Sequence, residues 1–149
     1  MPHFTLQLSP QGPLLLAYIG VSAARHTALT AAGLPIPNPV PIQALIDTGA
    51  SCSCVDPSVL NSLGLTPTGI VTVNTPSTGT RPHTAQQYDV SIAIPGASPS
   101  HIPLFASNVP VVAAQLLTAQ GFQALFGRDI LADCLFTYNG SMGNFTLAY

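Results

Sequence analysis

The chain has no lysine, no glutamate and no tryptophan, and charged residues make up 5% of its 149 positions against a usual figure of about 25%. Without lysine there is neither a Schiff-base nucleophile nor a P-loop, and without glutamate there is no His-Glu zinc motif. No Gly-x-Ser-x-Gly elbow occurs either. Aspartate chemistry, cysteine chemistry or simple binding remain. The three arginines, Arg25, Arg81 and Arg128, are scattered, and at a net charge of -2 they form no basic patch. Nothing here would neutralise a phosphate backbone, so no nucleic-acid partner is expected.

Long apolar runs are missing too. The longest, residues 14–21, is too short to span a bilayer, so no membrane partner is expected. The amino terminus has no basic start followed by an apolar segment and a small-residue cleavage site, so no signal peptide is visible. Cys52, Cys54 and Cys134 therefore read as reduced thiols of a cytoplasmic protein. Their spacing, with His3, His26, His83 and His101, fits no standard zinc finger, and neither a metal nor a cofactor is expected. Hydrophobic residues make up 47% of the chain, and so few charges above them suggest apolar surface covered by another subunit, a homo-oligomer.

What is present is strand-like sequence punctuated by proline and glycine, in one domain over residues 1–149. Phe4, Leu6 and Leu8 alternate with polar residues, and after a turn at 9–13 the run 14–21 reads as a second strand, buried on both faces and forming a hairpin with the first. Ser22 caps a short helix that Gly33 stops. Pro35, Pro37, Pro39 and Pro41 then predict an extended surface loop. Asp56-Pro57 and Gly64 bracket a short helix at 58–63. Residues 70–73 and 88–94 read as strands joined by a long polar hairpin, with further short strands at 104–105 and 109–114. A turn of helix at 130–135 and a closing hairpin, 136–138 with 145–149, complete an all-β class with one or two short helices.

The chemistry concentrates at Ala44-Leu45-Ile46-Asp47-Thr48-Gly49-Ala50-Ser51. An apolar strand delivers a carboxylate to its end, in a chain with only five acids, and charges are rarely buried without a partner. A lone carboxylate is a poor hydrolase; two sharing one proton can hold and activate a water, one as general base and one as general acid. One chain offers one Asp-Thr-Gly, and an isologous dimer supplies the second copy across its two-fold axis.

These residues, with the later Leu125-Phe126-Gly127-Arg128-Asp129 and the Ile130-Leu131 that follows, resemble the retropepsin-like aspartic proteases, homodimeric relatives of pepsin. The resemblance implies a retropepsin-like closed β-barrel or sandwich, a homodimer, and an aspartic endopeptidase acting on a peptide or protein substrate. It implies Asp47, Thr48 and Gly49 as the catalytic segment, with Thr48 bonding across the axis. Ala50 and Ser51 would line substrate, as would Asn74, Thr75, Ser77, Thr78 and Gly79 of the intervening hairpin, the family's flap. Gly127, Arg128 and Asp129 would brace the site, with Asp129 or Asp133 as acid partner to Arg128 because Ser51 and Cys52 stand where viral members carry an acid. Two rival readings are an inactive dimer of the same fold that binds peptides or scaffolds an assembly, and a thiol enzyme using Cys52 or Cys54.

Overall fold

In the computed structural model, which describes residues 1–74, 82–116 and 118–149, the apolar strands close on one another. β2 (Leu14–Val21) pairs antiparallel with β3 (Val40–Ile46), which runs parallel to β8 (Ala124–Phe126). The ring continues through β4 (Cys54–Val55), β7 (Leu104–Ala113) and β6 (His83–Ile94), which returns to β2. Six strands thus form a closed barrel, and β5 (Gly69–Val73) extends it as a hairpin partner of β6 alone. Alternation explains the filling: Leu15, Ala17, Ile19, Ile42, Ala44, Ile46, Val90, Ile92, Phe126 and their neighbours point inward and are buried.

A second, three-stranded sheet has the order β1 (His3–Gln7), β10 (Asn144–Ala148), β9 (Leu135–Asn139). The expected hairpin between the first two strands does not form. β1 instead pairs along its length with β10, from His3 opposite Ala148 to Gln7 opposite Asn144. The turn does close on itself, with Ser9 and Gly12 exchanging backbone hydrogen bonds. β3 takes one edge of β2 along Leu14–Ile19 and β6 takes the other along Tyr18–Val21, while β1 finds its partner at the far end of the chain. Nor is β2 buried on both faces throughout: Leu16 and Tyr18 point outward, and only residues 19–21 are buried in succession.

Two further differences are local. Val40 and Pro41, expected in the loop, begin β3; β8 joins β3 only from Ala44 onward, so the missing N–H of Pro41 interrupts no ladder on that side. The two short strands at 104–105 and 109–114 are one strand, β7, because a register shift opposite residues 90–92 absorbs the break in pattern.

The short helices follow their caps. α1 (Ala23–Ala31) starts where Ser22 Oγ accepts from the Arg25 amide, and α2 (Pro57–Ser62) where Asp56 accepts from the Ser58 amide. Gly33 and Gly64 end them in left-handed conformations that other residues adopt with strain. α3 (Arg128–Leu131) begins two residues earlier than expected and releases the chain into β9, so Leu135 is strand rather than helix.

Candidate active site

β3 carries its inward residues down to Ile46 and presents Asp47 half-buried just beyond. The Asp47 amide donates to the Phe126 carbonyl at 2.9 Å, which continues the parallel β3–β8 ladder into the turn. The carboxylate oxygen Oδ1 accepts from the Gly49 amide at 2.9 Å, and the Ala50 amide closes the turn onto the Asp47 carbonyl at 3.2 Å. Thr48 and Gly49 stand exposed at its tip.

The Gly127-Arg128-Asp129 turn clasps this loop from behind. Arg128 donates its amide to the Ala50 carbonyl at 3.0 Å and its guanidinium to the carbonyls of Thr48 and Gly49 at 3.0 and 3.3 Å. Neither expected acid meets it: both oxygens of Asp129 are taken by Ser53 at 2.8 Å each, and carbonyls hold the arginine in place of a carboxylate. Gly127 is required by proximity, since a Cβ there would lie 2.8 Å from the Cys52 carbonyl oxygen and 3.0 Å from that of Ala50. Ser53, which no sequence signal marked, is fully buried beneath the turn.

The substrate-facing expectations divide. Ser51 and Asn74 line one cleft of about 360 Å³ with Cys52, Gln87, Pro110 and Val112. Ala50 is half-buried beside the Asp47 turn. Thr75, Ser77, Thr78 and Gly79 lie outside the described residues. A larger cavity of about 560 Å³ sits between α1, the proline segment, β6 and β7. Pro39 borders it just before β3 begins, so it lies at the end of β3 remote from Asp47.

The Cys54 thiol beside the turn is a poor nucleophile by placement. Burial, reinforced by the neighbouring Cys52, Asp129 and Asp47, pushes the Cys54 thiol up to about 11. Among the described residues, no three His, Cys, Asp or Glu side chains gather as a metal site would need.

A barrel closed around such a turn, with its Asp-Thr-Gly tip clasped by Gly-Arg-Asp, defines an aspartic-protease architecture. The chain belongs to the aspartyl protease family, whose profile matches residues 32–130 and so takes in both turns. Its fold is similar to the crystal structure of a retropepsin-like aspartic protease from Rickettsia conorii, with a TM-score of 0.61 over 99% of this chain and 90% of that one at 17% identity. No curated protein matches the chain.

Proposed function

We propose that the protein is a homodimeric aspartic endopeptidase in which two Asp47 carboxylates, one from each subunit, activate a water. The observation that carries this reading is the Asp47 turn itself. One carboxylate, anchored through the Gly49 amide, is offered at an exposed tip by a turn that Arg128 holds from behind. A second copy meeting this tip face to face would complete the pair.

In the reaction, the ionised carboxylate takes a proton from the water as its oxygen attacks the scissile carbonyl carbon. The protonated carboxylate gives its proton to the carbonyl oxygen, which forms a tetrahedral diol. Collapse of the diol breaks the C–N bond: the leaving nitrogen takes the proton that the first carboxylate drew from water, and one diol hydroxyl returns its proton to the other carboxylate, which restores the single shared proton. Thr48 would bond across the two-fold axis and keep the carboxylates coplanar.

The substrate is an extended peptide lying along the cleft beside β5, whose outer edge has no partner among the described residues, with the β5–β6 hairpin closing over it as a flap. Among the described residues Asp129 is the one charged side chain on that cleft, and both its oxygens are engaged by Ser53. Uncharged side chains are therefore the expected occupants.

The test is a peptide-library digest of wild type beside Asp47→Asn, with the mass of each measured in solution. Cleavage by wild type alone, between uncharged residues and by a dimer, supports the reading. Turnover by Asp47→Asn, or cleavage by a monomer, contradicts it. A dimer that binds an aspartic protease inhibitor yet cleaves nothing would favour a peptide-binding or scaffolding role.

A further inference from the structure

We propose that Ser53 is a positioning residue for the Asp47 turn, acting through a bidentate clamp on Asp129; the inference rests on the endopeptidase reading above. Ser53 has no exposed surface, and each of its polar atoms is committed. Its amide donates to Asp129 Oδ2 and its hydroxyl to Asp129 Oδ1, both at 2.8 Å. Its hydroxyl oxygen accepts from the buried Gly127 amide at 3.1 Å, and its carbonyl accepts from the Val112 amide at 3.0 Å. One serine thus ties the loop that follows Asp47 to the Gly127–Asp129 turn and to β7.

The consequence reaches the candidate catalytic carboxylate by a short route. Asp129 neighbours Arg128, whose guanidinium carries the Thr48 and Gly49 carbonyls, and the Gly49 amide in turn holds Asp47 Oδ1. Removing the Ser53 hydroxyl strips the Gly127 amide of its buried acceptor, and the turn must shift to find another. Asp129→Asn acts on the same clamp from the other side. An amide offers one acceptor oxygen where three donors, the Ser53 amide, the Ser53 hydroxyl and the Ile130 amide, now converge on a carboxylate.

Displacement of a reacting group by a fraction of an ångström to an ångström lowers turnover on the order of 10- to 100-fold. We expect Ser53→Ala to lower kcat by that factor, per dimer counted with a tight-binding inhibitor, and to leave KM within about 2-fold. The Ser53→Ala, Asp129→Asn double variant should lose no more than the worse single one, since both break one clamp. Thr146→Ala, which removes only the Thr5 hydroxyl contact of the terminal sheet, serves as a stability control. Wild-type kcat in Ser53→Ala with a lowered melting temperature, or additive losses in the double variant, would overturn the positioning role. Where Ser53→Ala does not fold, Asp129→Asn is read on kcat per inhibitor-counted dimer alone, since Asp129 also borders the proposed substrate cleft. A wild type that cleaves nothing would instead strike the endopeptidase reading itself.

Discussion

Asp47 and the residues that hold it differ in how openly the sequence shows them, and the difference is physical. Asp47, Gly127 and Arg128 sit in turns whose geometry needs those residue types: a carboxylate that can accept from the amide two residues on, a glycine where a carbonyl approaches within 2.8 Å of its missing Cβ, and a long donor fork. Ser53 is different, because a serine between two cysteines has no local pattern and gains its role only when Asp129 arrives from 76 positions away. Gly127→Ala should destabilise the protein by about 1–3 kcal/mol through overpacking against backbone. Cleavage should fall with it, and an unchanged melting temperature would count against the close approach. Cys54 supplies a second check at this scale. With its thiol raised to about 11 by burial and adjacent acidic groups, it should resist iodoacetamide at neutral pH, and Cys54→Ala should still cleave. Loss of turnover in that variant, with the fold retained, would revive the thiol reading. The same shift favours the folded state below pH 9, the ordinary thiol value, and that contribution should fade as pH rises toward 11.

Secondary elements were legible where their ends carry chemistry. α2 has Asp56 as N-cap, Pro57 in its first turn and Gly64 at its stop, and it forms as those residues dictate. The partner of β1 was not legible, because strand pairing is non-local and a nearby turn makes the hairpin the default; in the fold β3 pairs with β2 along Leu14–Ile19 and β1 pairs with β10. Asp56 also reaches beyond its helix, accepting from the Ser58 amide and hydroxyl and from the distant Leu116 amide. Burial raises its pKa, but the Ser58 and Leu116 hydrogen bonds outweigh that and hold it below the ordinary 3.8. The ionised form therefore contributes stability that is fully present above pH 3.8 and is lost as pH falls through the lower folded value. Asp56→Ala should cost about 1–2 kcal/mol near neutrality. Its deficit relative to wild type should shrink in acid below that range, and a deficit independent of pH would contradict the assignment.

For the molecule as a whole, closing six strands into a barrel removes most sheet edges, a relief for a chain with no lysine to guard them. Ile70, Phe105, Leu135 and Tyr138 nevertheless remain more than half exposed, which suits a subunit that associates. The proposed mechanism requires each subunit to bring one Asp47 to a shared site. Wild type and Asp47→Asn, mixed under conditions where subunits exchange, measure this most directly. If a pair of Asp47 residues is required, activity should follow the square of the wild-type fraction, about a quarter at an equal mixture. Activity falling in simple proportion to the wild-type fraction would show that each subunit works alone, with no shared Asp47 pair.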